Sequence, residues 1–293
     1  MKFVFVGQNI LGGSVLRALL AKALYPALII TRKPNDYPNL VEETCRVWDI
    51  PCEQVADIKT DNWTMHKLAD IEPSIVFCCS WGNRIEQRLL DLPERGWINL
   101  HPSYLPKYRG PRPIEWQLIH GEKWGGGTAH FMTTQFDAGP IISQRKIRIS
   151  KHDNGETMRK KCGEVLGQLA IECHRRLTAK THIHVIHQED EEASYAPERE
   201  RVRPINWEAR AADIYNLVRG LSPFPCATFT FCGKQIEVAE IAVTNARSDT
   251  TAMGQVRRTR DGKFLVGTRD FFVKVTKIRL GGHIFDDYSE FIG

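Results

Sequence analysis

Asn99 and His101, in the run Ile98-Asn-Leu-His-Pro-Ser-Tyr-Leu-Pro, and Asp137, in Gln135-Phe-Asp-Ala-Gly-Pro-Ile, are the residues of this chain whose types and spacing suit chemistry. On an extended segment, side chains at i and i+2 project to one face, so an amide and an imidazole are presented together. Those groups suit acyl transfer. An amide N–H can stabilise a developing oxyanion, a histidine can take the proton of an attacking amine, and an aspartate can orient the histidine and stabilise its charged form. Neither segment supplies a covalent nucleophile.

An Asn-x-His triplet by itself is far more often a strand or turn feature than a site. Here it follows the apolar Trp97-Ile98 and enters Pro102 to Pro113, a stretch of Pro, Gly and Arg suited to a binding loop. Asp137 likewise follows the run Thr128-Ala-His-Phe-Met and precedes Gly139-Pro140, a turn signal.

The elements that must position these residues read as alternating strand and helix. Apolar patterning predicts strands over Phe3 to Gly7, Ala27 to Thr31 and Ile75 to Cys79. Helices are predicted over Leu11 to Ala23, Leu40 to Trp48 and Trp63 to Ile71. Such alternation implies an α/β fold with a mostly parallel sheet covered on both faces. Ligands in such folds bind beyond the carboxyl ends of the strands, where the loops Gly7-Gln-Asn, Ser80-Trp-Gly-Asn-Arg and His101-Pro-Ser all emerge. The glycines after the first strand lack the Gly-x-Gly-x-x-Gly order, and Thr31-Arg-Lys-Pro stands where an acidic ribose partner would be, so a dinucleotide site is not the expectation. A long helix is predicted over Gly155 to Ala179 and a charged connector with Pro197 and Pro204 after it. A helix over Ala209 to Arg219 and five short strands at 227–231, 236–243, 254–257, 264–267 and 271–278 then suggest a small β-barrel.

The run Asn99-Leu-His-Pro-Ser-Tyr-Leu-Pro-Lys-Tyr-Arg-Gly-Pro-Arg-Pro, followed by Phe136-Asp-Ala-Gly-Pro-Ile, resembles the signature of the 10-formyltetrahydrofolate-dependent formyltransferases. Pro204-Ile-Asn-Trp, Ile214 to Arg219 and Ser222-Pro-Phe-Pro-Cys-Ala-Thr resemble the start of the C-terminal module that methionyl-tRNA formyltransferases share with several sugar N-formyltransferases. The resemblance implies a Rossmann-like catalytic domain over 1–187, a linker over 188–204 and an OB-like β-barrel over 205–293. It puts the catalytic roles on Asn99, His101 and Asp137. It also implies that N10-formyltetrahydrofolate is the co-substrate, held largely by backbone groups of Trp81, Gly82, Asn83, Arg84 and Ile85 and of Thr134 and Gln135. Gln8, Asn9, Tyr108 and Arg109 are candidates for the acceptor; Arg109 can meet a phosphate bidentately or fix its loop through a backbone carbonyl.

The acceptor is argued from charge and from one connection. The formal net charge is only +5, and from Ile205 to Gly293 there are 12 Lys and Arg against 10 Asp and Glu, which argues against a nucleic-acid partner. Initiator-tRNA formyltransferases resemble one another in a long Gly- and Lys-rich insertion after the second strand; here Thr31-Arg-Lys-Pro-Asn-Asp-Tyr-Pro leads quickly into a helix. The expected acceptor is therefore a nucleotide-linked amino sugar, with methionyl-tRNA as the alternative. The His-Pro-Ser spelling also resembles glycinamide ribonucleotide formyltransferase, but the C-terminal strands argue against it; a catalytically idle sensor of folate or sugar is a further alternative.

At 293 residues two domains are expected. The N-terminal Met1-Lys-Phe-Val-Phe-Val-Gly reads as a strand rather than a leader, and no run approaches the ~18 apolar residues of a membrane span, so a cytoplasmic enzyme is expected. Eight cysteines, with no Cys-x-x-Cys, read as buried free thiols, and no metal is expected. His182, His184 and His187 alternate as on a strand and read as a partly exposed edge rather than a metal site. Phe271, Phe272 and Phe285 bury either in the barrel core or against a second subunit of a homodimer.

Overall fold

The structure is a computed structural model that describes residues 1–32, 39–58, 62–179, 183–197 and 202–286. The chain divides into two compact units, one of 1–113, 124–148 and 159–196, the other of 114–123, 149–158 and 197–293.

The first unit is built on a seven-stranded sheet. Its strands are β1 (Phe3–Gly7), β2 (Leu28–Arg32), β3 (Glu53–Val55), β4 (Ile75–Cys79), β5 (Trp97–His101), β6 (Trp124–Phe131) and β7 (Ile141–Arg148), in the order β3-β2-β1-β4-β5-β6-β7. The first five run parallel, and β6 and β7 add antiparallel. All five positions of β1 and of β4 are buried, as a parallel sheet with both faces covered requires. Helices α1 (Asn9–Leu20), α2 (Leu40–Val47) and α3 (Asn62–Ile71) form the crossovers. Gly13 permits the close approach of α1 to α2, since a Cβ there would collide with Leu40. Seven residues separate β2 from α2, of which 33–38 lie outside the described residues.

Two short helices, α4 (Gln87–Leu90) and α5 (Pro113–Ile119), and β3 were not expected. A three-residue edge strand with two exposed positions has no periodicity to read. Pro113, read as the end of a loop, is the first residue of α5, where its fixed φ and missing N–H suit a helix start. Helix α6 (Gly155–Thr178) ends one residue before the expected boundary. His182 lies outside the described residues; of the rest of that stretch only Ile186 pairs, through an isolated bridge to Ile141, so the expected edge strand is not formed.

In the second unit, helix α7 (Ala211–Leu221) lies against an antiparallel sheet of β8 (Ala227–Phe231), β9 (Lys234–Arg247), β10 (Val256–Arg258), β11 (Phe264–Gly267), β12 (Phe271–Leu280) and β13 (His283–Phe285). The order β10-β11-β12-β9-β8 is a half-barrel. The long β9–β12 pair carries three register shifts, which coil it around the helix. Its core joins Ile214, Val218 and Leu221 to Val238, Phe264, Val273 and Val275. Phe271 packs against that core, half-buried, and Phe272 lies under the Arg257 guanidinium.

All eight cysteines are free; six are buried, whereas Cys52 is half-buried and Cys232 exposed, so the expectation of buried thiols fails at those two. Among the described residues, no helix is long and apolar enough to cross a membrane, and no cluster of His, Cys, Asp and Glu is arranged to hold a metal.

Candidate active site

Strand β5 ends in Asn99 and His101, two residues apart and therefore on one face. Its antiparallel neighbour β6 is registered so that His130 stands opposite Asn99 and Thr128 opposite His101. The chain then turns through Asp137, whose φ of 53° is left-handed, and folds the carboxylate back over these strands. Gly139 makes the turn possible, because a Cβ there would collide with the Phe131 carbonyl oxygen.

Asp137 is the hub. Its Oδ1 accepts a hydrogen bond from Asn99 Nδ2 at 2.9 Å and lies 3.4 Å from both His101 Nδ1 and His130 Nε2. Its Oδ2 accepts from the Gly110 N–H at 2.8 Å. His101, His130 and Asp137 are 4 %, 1 % and 9 % exposed, so these contacts are little weakened by water.

Hydrogen placement on both imidazoles follows from their other partners. His101 Nε2 lies 2.9 Å from the Tyr108 carbonyl oxygen and His130 Nδ1 2.8 Å from the Phe131 carbonyl oxygen. A carbonyl oxygen only accepts, so each of these nitrogens carries the hydrogen. In the neutral rings His101 Nδ1 and His130 Nε2 are then the basic positions, and both face Asp137. His130 Nε2 is also 3.3 Å from Asn99 Nδ2, so both hydrogens of that amide have acceptors.

Burial lowers the His101 pKa, an effect only partly countered by Asp137 and the Tyr108 hydrogen bond, so the ring is neutral near pH 7. Burial opposes ionisation of Asp137 too. There the interactions with the adjacent His101 and His130 and the Gly110 N–H outweigh it, and the carboxyl stays ionised well below the usual range. The cluster is thus a buried carboxylate beside a neutral base. The nearby Cys78 and Cys79 thiols are pushed up by burial, Cys79 to about 12, and are not nucleophiles at neutral pH.

The loop expected to hold folate leaves the end of β4. Trp81 and Ile85 are core residues, with the Arg32 guanidinium 5.5 Å from the Trp81 ring. The Trp81 indole N–H is buried and has no hydrogen-bond partner among the described residues. Gly82 faces open space, Asn83 is half-buried, and Arg84 is exposed with its guanidinium over the Phe136 ring at 5.1 Å. That stacking brings the exposed Thr134 and Gln135 beside the same loop. Gln8 is buried and Asn9 half-buried with φ 61°, where β1 enters α1.

Tyr108 and Arg109, the other two acceptor candidates, are both buried. Tyr108 is 8 % exposed, and its carbonyl serves as the His101 anchor. Arg109 is 1 % exposed and donates to side chains rather than to a backbone carbonyl, through Nε to Gln188 Oε1 at 3.1 Å and through Nη1 to Asp190 Oδ1 at 2.7 Å. His130 and Gln188 were missed in the sequence. His130 sits seven residues before Asp137, two beyond Thr128 on a predicted strand, and that alternation is the one signal that could have found it. Gln188 has no local signal at all.

The family model described as "Formyl transferase" matches residues 27–173, and "Formyl transferase, C-terminal domain" matches 199–292. The methionyl-tRNA formyltransferase of Thermodesulfovibrio yellowstonii is 31% identical over 99% of this chain and 94% of its own length. Among solved structures, WlaRD, a sugar 3N-formyltransferase crystallised with dTDP and 5-N-formyl-THF, superposes with a TM-score of 0.72 at 16% identity, covering 94% of this chain and 96% of its own. HypX from Aquifex aeolicus, in complex with tetrahydrofolic acid, gives 0.69 at 17% over 96% of this chain; the chain spans only 44% of HypX. At those identities the structures speak for the fold alone. The sequence relationship, which runs through both the sheet that carries the carboxylate–histidine cluster and the half-barrel, goes further: the chain belongs to the formyl transferase family and is a formyltransferase.

Proposed function

We propose that this enzyme moves the formyl group of N10-formyltetrahydrofolate onto the amine of a nucleotide-linked amino sugar, with Asn99, His101 and Asp137 as its catalytic residues. The observation that carries the reading is the single carboxylate oxygen of Asp137 within reach of both the Asn99 amide and the only basic nitrogen of His101. His101 accepts the amine proton at Nδ1 while the new N–C bond forms, and Asp137 stabilises the resulting imidazolium. Asn99 turns the hydrogen that faces His130 toward the negative charge developing on the formyl oxygen, exchanging a 3.3 Å contact for a charge-assisted one. His101 then returns its proton as the bond from formyl carbon to N10 breaks. Folate supplies the activated formyl group. The open space beside Gly82, the unanswered indole N–H of Trp81 and the exposed Thr134 and Gln135 fit a flat polar heterocycle.

The short connection from β2 to α2 and the modest charge of the C-terminal stretch favour a small acceptor. A second reading, formylation of initiator methionyl-tRNA, is favoured by the name of the Thermodesulfovibrio relative, which this chain matches nearly end to end. A panel of amino-sugar nucleotides and charged initiator tRNA, each assayed with 10-formyltetrahydrofolate for donor consumption and formylated product, separates the two. Turnover of an amino-sugar nucleotide is expected; turnover of the tRNA alone would transfer the assignment to the second reading.

A further inference from the structure

We propose that Gln188, outside the cluster and on the segment that follows α6, is a positioning residue that holds Asp137 in its catalytic pose; the inference rests on the role given above to Asp137. The Gln188 side chain closes a ring of hydrogen bonds. Its Nε2 donates to the backbone oxygens of Asp137 at 2.8 Å and Gly139 at 2.7 Å, and its Oε1 accepts from Arg109 Nε at 3.1 Å. One residue on from Arg109, the Gly110 N–H donates to the Asp137 carboxylate. Asp137 is therefore gripped at both ends, by Gly110 at its side chain and by Gln188 at its backbone, with Arg109 joining the two grips.

Two features show that this grip has something to hold. Asp137 and Tyr108 both occupy left-handed backbone conformations, at φ 53° and 61°, which non-glycine residues adopt only when their surroundings impose them. Both also present an atom to His101, Asp137 through Oδ1 and Tyr108 through its carbonyl. The same segment secures the Tyr108 side as well. Ser194 Oγ accepts from the Tyr108 N–H at 2.9 Å, the Ser194 carbonyl accepts from the Arg109 N–H at 2.8 Å, and the Ala196 N–H donates to the Arg109 carbonyl at 2.8 Å. An amide suits position 188 because it offers two donors to two carbonyls and one acceptor to a guanidinium. Glutamate keeps the acceptor and loses both donors.

The test compares Gln188→Met and Gln188→Glu with the parent enzyme and repeats Gln188→Met in an Asp137→Asn background, measuring kcat and both KM values on folded protein. Expected is a fall in kcat of about tenfold or more with each KM within about twofold, and no further fall when Gln188→Met is added to Asp137→Asn, because groups acting through one another are not additive. A kcat like the parent's in either single variant overturns the proposal, and so does an equal loss in both backgrounds, the mark of a merely structural role. If Gln188→Met does not fold, Gln188→Glu decides alone by its split between kcat and KM. Asp137→Asn with undiminished turnover would remove the underlying reading; Asp137→Asn inactive beside a fully active Gln188→Met would remove only the inference about Gln188.

Discussion

At the scale of single residues, the two nitrogens of His101 are made unequal by what they face. The Tyr108 carbonyl fixes the hydrogen on Nε2, which leaves Nδ1 as the base beside Asp137. Burial lowers the His101 pKa, so the neutral base survives below the usual histidine value of about 6.5. With both substrates saturating, the limb of kcat that His101 contributes should thus lie below the ordinary histidine value; a limb at or above that value that vanishes in the residual activity of His101→Ala would contradict this assignment. Replacing Asn99, His101 or Asp137 by Ala should cut kcat by about 10²–10³-fold in protein whose circular dichroism is unchanged. Stability follows the same signs. His101 and Asp137 both have native pKa values below their unfolded ones, so the unfolded chain takes up protons first on acidification. The Asp137 contribution is present above the ordinary carboxylate value and is lost as pH falls through the native one; that of His101 erodes already below about 6.5. Urea midpoints should accordingly decline from pH 7 to pH 4.

At the scale of elements, glycines decide how closely strands and turns approach. On β6 a Cβ at Gly126 would stand 2.8 Å from Tyr104 Cβ and 3.0 Å from the Arg145 carbonyl oxygen, so the strand passes beneath the loop that follows His101 only because that position is bare. At Gly139 the obstacle is the Phe131 carbonyl, which is backbone and cannot swing aside. Gly139→Ala should cost about 1–3 kcal/mol in chemical denaturation and reduce kcat more than its loss of folded protein explains, since the Asp137 turn must shift. In the half-barrel, Leu221 is fully buried at the end of α7, and Leu221→Ala should lower unfolding free energy by about 2–5 kcal/mol.

At the scale of the whole molecule, the acceptor is a question of charge and reach. A tRNA held by 6–10 phosphate contacts loses about 10³–10⁵ in affinity between 50 and 200 mM salt. A nucleotide sugar has only a diphosphate to neutralise, so kcat/KM over that range should change by no more than about tenfold. A steeper dependence with any acceptor would mark an RNA-binding enzyme. Several of the 12 basic and 10 acidic residues from Ile205 onward are engaged with one another or with aromatic rings. Glu237 and Glu240 are taken up by Arg203, Arg279 and Lys277, while Arg247 and Arg257 lie over Phe271 and Phe272.

What the sequence determined by itself was local. Apolar patterns in windows of five to twelve residues marked β1, α1, β4 and β8, because burial on one or both faces shows in a short window. The i, i+2 spacing put Asn99 and His101 on one face, and the long motif pair pointed to formyl transfer. Periodicity does not encode which strand lies beside which, or in what register, so only the tertiary structure set His130 opposite Asn99. The left-handed turn at Asp137, the inward burial of Arg109 and the reach of Gln188 across some fifty residues to the Asp137 carbonyl were likewise decided by packing between distant segments. A hydrogen-bond partner so far along the chain leaves no trace in any local pattern, and partners of this kind, Gln188 at the Asp137 carbonyl and Ser194 at the Tyr108 N–H, hold the two turns that flank His101.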